Sequence, residues 1–436
     1  MNRRILAASA LVGALTLFSL IGGLARDMVV AHYYGRGDAI DAFLIAFMLP
    51  ALATNVIGGS LNAVLIPAVV QVAQRDGNAA AERLLSSAAL CALAVLVLTS
   101  ALLAAVFPLT LPLIARNFDP AKRALTHSLF YMLLPAITVG GIAMVWSGML
   151  NAQRRFAAAA AAPLLVPVVA IVFVLFFSNR WDVKALAAGT VAGMLTQCLM
   201  LVAALRRRGL PIVPRWHGMS PPLRGAIRQF IPMSAGAVLM SGTGIVDQAM
   251  AATLDPGSVA ALNYGGKLAS ALNGLGVTAL GTALLPHFSQ MIATGDVRSL
   301  RHSIAIWSKL VFASTLGVTL LLMALSEPLV RLLFERGAFT GEDTRIVAFV
   351  QIFSLLQIPF YLLGIIYVRA ISALQRNTLL MSGSAISLIL NVVMNLILMR
   401  YIGVAGIALS TAIVYLAAWI FLGWNAGRCM KTTESP

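Results

Sequence analysis

Five charged residues lie inside or at the edge of long apolar runs in this 436-residue sequence: Arg26, Asp27, Asp41, Asp247 and Lys267. An ionisable group at membrane depth costs about 2.5–3.5 kcal/mol on insertion scales, so it belongs against an interior cavity or a partner. Arg26 and Asp27 follow Gly22-Gly23-Leu24-Ala25 late in the first apolar run. Two glycines there let a helix bend, or let another backbone come close. Neighbouring residues on a regular helix point about 100° apart, which predicts that Arg26 and Asp27 pair poorly with each other. Arg26 is the stronger candidate for a cavity, because a guanidinium forks onto phosphate oxygens and stays charged. Lys267, early in the eighth apolar run, supplies a second cation. The alternative for both is a stem that snorkels its charge to an interface. Asp41 stands with Asp38 where the second run begins, and an acid there either meets a ligand or steadies a helix N-terminus.

A second constellation is neutral. Asn391 and Asn395 are spaced i,i+4, hence on one helix face, and Thr411 lies in the following apolar run. With Asp247 these oxygen-bearing groups can surround a hard monovalent cation such as sodium. The alternative is ordinary interhelical hydrogen bonding, worth about 0.6 kcal/mol each. Cys91, Cys198 and Cys429 show no motif spacing, and the five histidines lie apart from any cysteine or carboxylate at ligand distance, so no zinc-type site is expected. No catalytic constellation and no glycine-rich nucleotide motif is present, which argues against an enzyme and against direct ATP drive.

The elements that must position these groups are membrane helices. Hydrophobic residues make up 60% of the chain and charged residues 11%, and mean hydropathy is +0.91. About 20 apolar residues cross a bilayer, and this chain offers one such run after another. The fold class is an all-α integral membrane protein with twelve transmembrane helices, at residues 5–34, 40–73, 83–110, 125–150, 159–178, 184–205, 224–253, 260–293, 303–326, 344–373, 379–400 and 404–427. The first run is too long for a secretory signal and reads as an uncleaved helix. Pro50, Pro67, Pro232, Pro286 and Pro359 fall in the longest segments and are expected to bend them or free carbonyls.

The net charge of +16 follows from topology rather than from nucleic acid binding. With a cytoplasmic N-terminus, most lysines and arginines fall inside, while the other side receives only Arg36, Arg116, Lys122, Arg123, Arg180, Lys184, Arg331, Arg336, Arg345 and Arg400. Both termini are therefore expected to be cytoplasmic. The Arg206-Arg207-Arg208 run reads as an anchor on anionic lipid. The expected domains are an N-lobe over 1–209, a basic linker over 210–223, a C-lobe over 224–427 and a cytoplasmic tail over 428–436. Leu61 to Pro67, then Gln71 and Arg75-Asp76-Gly77, parallel Gly281 to Pro286, then Gln290 and Gly295-Asp296. Asp27 and Asp247 fall at nearly the same offset. Two six-helix repeats insert the same way round, so a pseudo-twofold axis along the membrane normal is expected, with a substrate site between lobes.

Several motifs carry a family resemblance. Gly23-Leu24-Ala25-Arg26-Asp27, Ala39-Ile40-Asp41-Ala42-Phe43, Ala46-Phe47, Leu49-Pro50, Gly281 to Pro286 and Leu333 to Thr340 resemble the MurJ/MviN lipid II flippases of the MOP superfamily, in the same order over almost the whole chain. The resemblance implies a two-lobed transporter of the bacterial inner membrane. Its cargo would be an undecaprenyl-diphosphate-linked saccharide, moved from the cytoplasmic to the periplasmic leaflet by alternating access. It places Arg26 at an essential cavity cation and Asp41 at another functional polar position, with Asp27, Asn55 and Lys267 completing the substrate set. It also implies a sodium site made of Asp247, Asn391, Asn395, the Ile407 carbonyl and Thr411, in which Asn395 replaces an acid. Lipid II members carry arginines where this chain has Leu20, the Thr54-Asn55 region and Lys267, and they usually have fourteen helices rather than twelve. A different lipid-linked saccharide, such as an exopolysaccharide repeat unit, is the cargo those departures suggest. The expected partners are that lipid and the surrounding membrane, with the protein a monomer. The competing readings are an ion-coupled exporter of small amphipathic molecules and a non-transporting membrane scaffold.

Overall fold

A computed structural model of the chain describes residues 3–153, 155–207, 215–294, 296–374 and 376–434. Arg154, Arg208, residues 210–214 of the expected linker, Gly295 of the second Gly/Asp turn and residues 435–436 of the tail lie outside the described residues. Every regular element among the described residues is helical. Twelve of the resulting spans are long and apolar enough to cross a membrane, in agreement with the hydropathy pattern.

The chain divides into two compact units, Met1–Val238 and Leu239–Pro436. The first contains α1 (Arg3–Tyr34), α2 (Asp38–Asp76), α3 (Asn78–Ile114), α4 (Pro120–Leu133), α5 (Pro135–Ala152), α6 (Phe156–Ala161), α7 (Leu165–Trp181), α8 (Val183–Arg206) and the first part of α9 (Pro221–Ala251). The spans Pro120–Ala152 and Phe156–Trp181 are each built from more than one helical piece. Pro135 has no N–H to continue the hydrogen-bond ladder, so α4 ends at Leu133 and α5 begins afresh. Pro50 and Pro67 are instead carried inside α2, which runs unbroken for 39 residues. At 1.5 Å per residue that is ~58 Å, nearly twice the hydrocarbon thickness.

The core of this unit is a seam where α2 (Leu61, Leu65, Val69), α3 (Leu85, Ala89, Leu96), α5 (Ile137, Val145, Met149) and α8 (Leu201, Leu205) meet. Leu223 and Ala226, at the start of α9, belong to the same core. The approach to α9 is stitched down as well. Ser86 Oγ accepts from the Arg215 amide at 2.6 Å and donates to the Arg215 carbonyl at 3.0 Å, and Ser87 Oγ accepts from His217 N at 3.0 Å.

The second unit holds the rest of α9, then α10 (Ser258–Ala293), α11 (Val297–Ala324), α12 (Ser326–Phe334), α13 (Gly341–Leu355), α14 (Gln357–Ala373), α15 (Asn377–Ile402) and α16 (Val404–Glu434). Its core joins Leu280, Leu284 and Phe288 of α10 to Leu300 and Ile304 of α11, Leu362 and Ile366 of α14, and Leu422 and Ala426 of α16. Pro359 does not bend a continuous helix as expected. The span Gly341–Ala373 breaks at Leu356, and Pro359 sits in the first turn of α14, where a missing N–H leaves no gap in the ladder. Helix starts are capped by side chains: Asp119 accepts from Lys122 N, Asp296 from Ser299 N, and Thr340 and Asp343 form a reciprocal capping box.

Candidate functional site

Arg26 and Asp27 lie two turns before the end of α1, which continues without interruption to Tyr34. The two glycines before them are not equivalent. A Cβ built on Gly22 would lie 2.9 Å from Leu164 Cδ1 and 3.4 Å from Pro167 Cγ, whereas one on Gly23 would meet nothing within 4 Å. Gly22 is thus the close-approach position, where α1 packs on the Ala162–Leu164 turn and on α7.

The expectation that Arg26 and Asp27 pair poorly is corrected. Arg26 Nε and Nη2 donate to Asp27 Oδ1 at 3.1 and 2.7 Å. The 100° between their Cα–Cβ directions is overcome by the length of the arginine stem, which curls around the helix to reach the neighbouring carboxylate. The Arg26 side chain stays 26% exposed and that of Asp27 9%. Two of the five guanidinium N–H groups are used on Asp27, so others remain for a second acceptor.

Asp41 is held elsewhere. Lys122, near the start of α4, reaches back to α2 with Nζ 2.9 Å from Asp41 Oδ2 and 2.6 Å from Asp38 Oδ1. The Phe118 ring covers the ammonium at 4.0 Å from its centroid. By sequence Lys122 is an ordinary external base, yet its side chain is only 5% exposed and that of Asp41 2%. The available signal was the pairing of Asp38 and Asp41 at i,i+3 with an Asp119-Pro120 helix start ahead of Lys122. Further along α2, Asn55 is exposed, and Thr54 turns its hydroxyl onto the Pro50 carbonyl at 2.9 Å. Lys267 is partly buried on α10, in the second unit.

The neutral constellation assembles around one acid. Asp247 on α9 receives the Asn391 and Asn395 amides of α15 on Oδ1, at 2.9 and 2.7 Å. The Thr411 hydroxyl of α16 lies 3.0 Å from Asp247 Oδ2 and 3.2 Å from the Ile407 carbonyl. One hydroxyl proton serves only one of those two acceptors at a time. Asn391 and Asn395 are completely buried, and their amide oxygens have no hydrogen-bond partner. Orphaned buried oxygens of this kind cost about 1–3 kcal/mol each, which a bound cation would relieve. Rotation of each amide by 180° exchanges nitrogen for oxygen at the carboxylate. The cluster then offers two amide oxygens, a carboxylate, a hydroxyl and a backbone carbonyl, a donor set suited to a hard cation.

Comparison with known proteins places this arrangement in context. The sequence pattern of the family described as lipid II flippase MurJ matches residues 30–436. The match begins just past Arg26 and Asp27 and includes Asp41, Asn55, Lys122, Lys267 and the Asp247 cluster. A probable lipid II flippase MurJ from Rhizobium tropici is 27% identical over 420 residues, which cover 94% of this chain and 78% of that protein. Among solved structures, lipid II flippase MurJ in an inward closed conformation superposes with a TM-score of 0.82 at 22% identity, over 97% of this chain and 90% of that one. An inward-facing multidrug resistance MATE family transporter of the MOP superfamily gives 0.79 at 15% identity, over 98% and 99%. At these identities the two structures speak for the fold.

Proposed function

The chain belongs to the lipid II flippase MurJ family, and on that footing we propose that it moves an undecaprenyl-diphosphate-linked saccharide from the cytoplasmic to the periplasmic leaflet of the bacterial inner membrane by alternating access. The observation that carries this reading is the family match over residues 30–436, nearly all of a chain whose twelve spans share the MurJ fold. Lipid II and a related polysaccharide repeat unit present the same diphosphate to the protein. The basic residues support cytoplasmic termini, and the working unit in this proposal is a monomer.

Arg26 is the proposed diphosphate ligand. In this structure it is already paired with Asp27 through two N–H groups, so an arriving phosphate takes the remaining ones and the guanidinium is never left bare in a low-dielectric setting. Lys267 adds a point charge without a fork. Leu20 and Asn55 stand where the resemblance expects arginines, so fewer guanidinium groups share the diphosphate and the saccharide carries more of the selection. Asp247, Asn391, Asn395, Ile407 and Thr411 would hold a sodium ion, whose single charge the Asp247 carboxylate balances. Sodium there would tie α9, α15 and α16 together.

The test is complementation of a lipid II flippase depletion strain, read with a leaflet-accessibility assay for the accumulated precursor. Restored growth together with externally accessible lipid II supports the assignment to lipid II. Growth that fails while the protein is well inserted redirects it to a dedicated polysaccharide precursor, checked with that lipid in proteoliposomes. Transport of neither lipid overturns the reading.

A further inference from the structure

Lys122 forms a deeply buried ion-pair cluster in the first unit. Its ammonium sits between Asp38 and Asp41 at 2.6 and 2.9 Å, beneath the Phe118 ring at 4.0 Å. Both acids stand in the first turn of α2, where the helix dipole already favours negative charge. Lys122 itself is fixed from its own helix, since its amide donates to Asp119 and its carbonyl accepts from the Thr126 hydroxyl. Two helices that meet along much of their length are thereby locked at one end by a single cation.

The burial of Asp41 bears on what that acid does. A carboxylate with 2% of its side chain exposed and an ammonium already on one oxygen is poorly placed to meet a bulky saccharide diphosphate. A second anion approaching it would also be repelled. The geometry points to Lys122 as a positioning residue for transport: it braces the outer end of α2 against α4 through Asp41, so that the contribution of Asp41 runs through this brace and not through contact with cargo. This rests on the flippase reading above.

The charges predict an order of damage. Lys122→Met removes the cation that bridges the two carboxylates and is the worst case. Asp41→Asn keeps Lys122 paired with Asp38. Asp38→Asn is mildest, because that carboxylate is half exposed and hydrated without the lysine. A mispaired buried charge is expected to cost about tenfold or more in transport rate.

The experiment uses purified full-length protein in proteoliposomes, with lipid II as the probe and rates normalised to monodisperse protein. Under the brace, Lys122→Met and Asp41→Asn lower the maximal rate and leave the half-saturating lipid II concentration unchanged. Their combination is no worse than Lys122→Met alone, and Lys122→Arg or the exchange Asp41→Lys with Lys122→Asp recovers part of the rate. A raised half-saturating concentration for Asp41→Asn alone, or normal transport by Lys122→Met, overturns the proposal. Melting of the same proteins in detergent needs no cargo. If wild type moves no lipid II, the assignment to lipid II fails, and the brace stands or falls on whether the charge exchange restores the melting temperature lost in Lys122→Met.

Discussion

Asp182 and Gly403 share one backbone conformation, with φ and ψ of 46° and −140° in the first and 57° and −136° in the second. Each is the single residue between the last two helices that lie wholly within its unit, α7 and α8 in one and α15 and α16 in the other. Other punctuation repeats with them at an offset of about 220 residues, as expected of a duplicated unit. Gly35 and Gly257 both take positive φ before a long helix, and the spans Pro120–Ala152 and Gly341–Ala373 break at Leu134 and Leu356. Turn geometry therefore preserves the duplication even where one half has glycine and the other has aspartate.

That aspartate is strained, since a non-glycine residue at such a φ costs about 1–3 kcal/mol. It is held there by three hydrogen bonds: its amide donates to Ser178, and its carbonyl accepts from Ala185 N and from the Tyr34 hydroxyl. Asp182→Gly should raise stability by up to about 1 kcal/mol, after the greater freedom of glycine in the unfolded chain is subtracted. Gly403→Ala should lower it by about 1–2 kcal/mol. Thermal melting in detergent measures both, and a Gly403→Ala protein as stable as wild type would refute the strain argument.

Arg26→Ala should abolish transport while leaving insertion intact. Arg26→Lys should retain only a small part of the rate, since an ammonium cannot hold Asp27 and fork onto phosphate together. Leaflet accessibility of lipid II reads both, and undiminished export by Arg26→Ala would remove the diphosphate role.

Gly22→Ala should be tolerated, because its nearest contact is the flexible tip of Leu164. Gly22→Leu has no such escape against Pro167 and should cost about 1–3 kcal/mol by overpacking. Equal melting temperatures for the two variants would show that α1 does not need the close approach.

Sodium should raise the melting temperature of wild type relative to the same concentration of potassium. A site filled at a hundred times its dissociation constant contributes about 2.7 kcal/mol. Asp247→Asn should erase the difference. Asn395→Asp should enlarge it, because a second carboxylate binds the cation more tightly. Indistinguishable melting in the two salts would exclude the site.

Much of this molecule is legible in its sequence, for identifiable reasons. Twelve spans stand out because lipid demands long apolar runs, and the i,i+4 spacing of Asn391 and Asn395 places both on Asp247 because α15 is regular. Lys122 is not legible in the same way. A charge count records its sign and its place outside the apolar runs, but burial depends on Asp38, Asp41 and Phe118 converging from other segments. The Arg26–Asp27 pair was obscured for the opposite reason: helix geometry describes Cβ directions, whereas the contact is made by a long stem far from its own Cβ. The break at Leu356 was hidden because Pro359 lies three residues past it, inside an apolar run that reads as continuous.

The two arms of the Lys122 cluster differ in one more respect. The Asp38 side chain is 49% exposed and that of Asp41 is 2% exposed. Counterions reach the first arm and not the second, and an exposed ion pair is screened by salt where a buried one is not. Rising salt therefore slackens the Asp38 arm while the Asp41 arm keeps its strength. The N-terminal end of α2 responds to ionic strength by degrees, like a fastening with one bolt in the weather and one under cover.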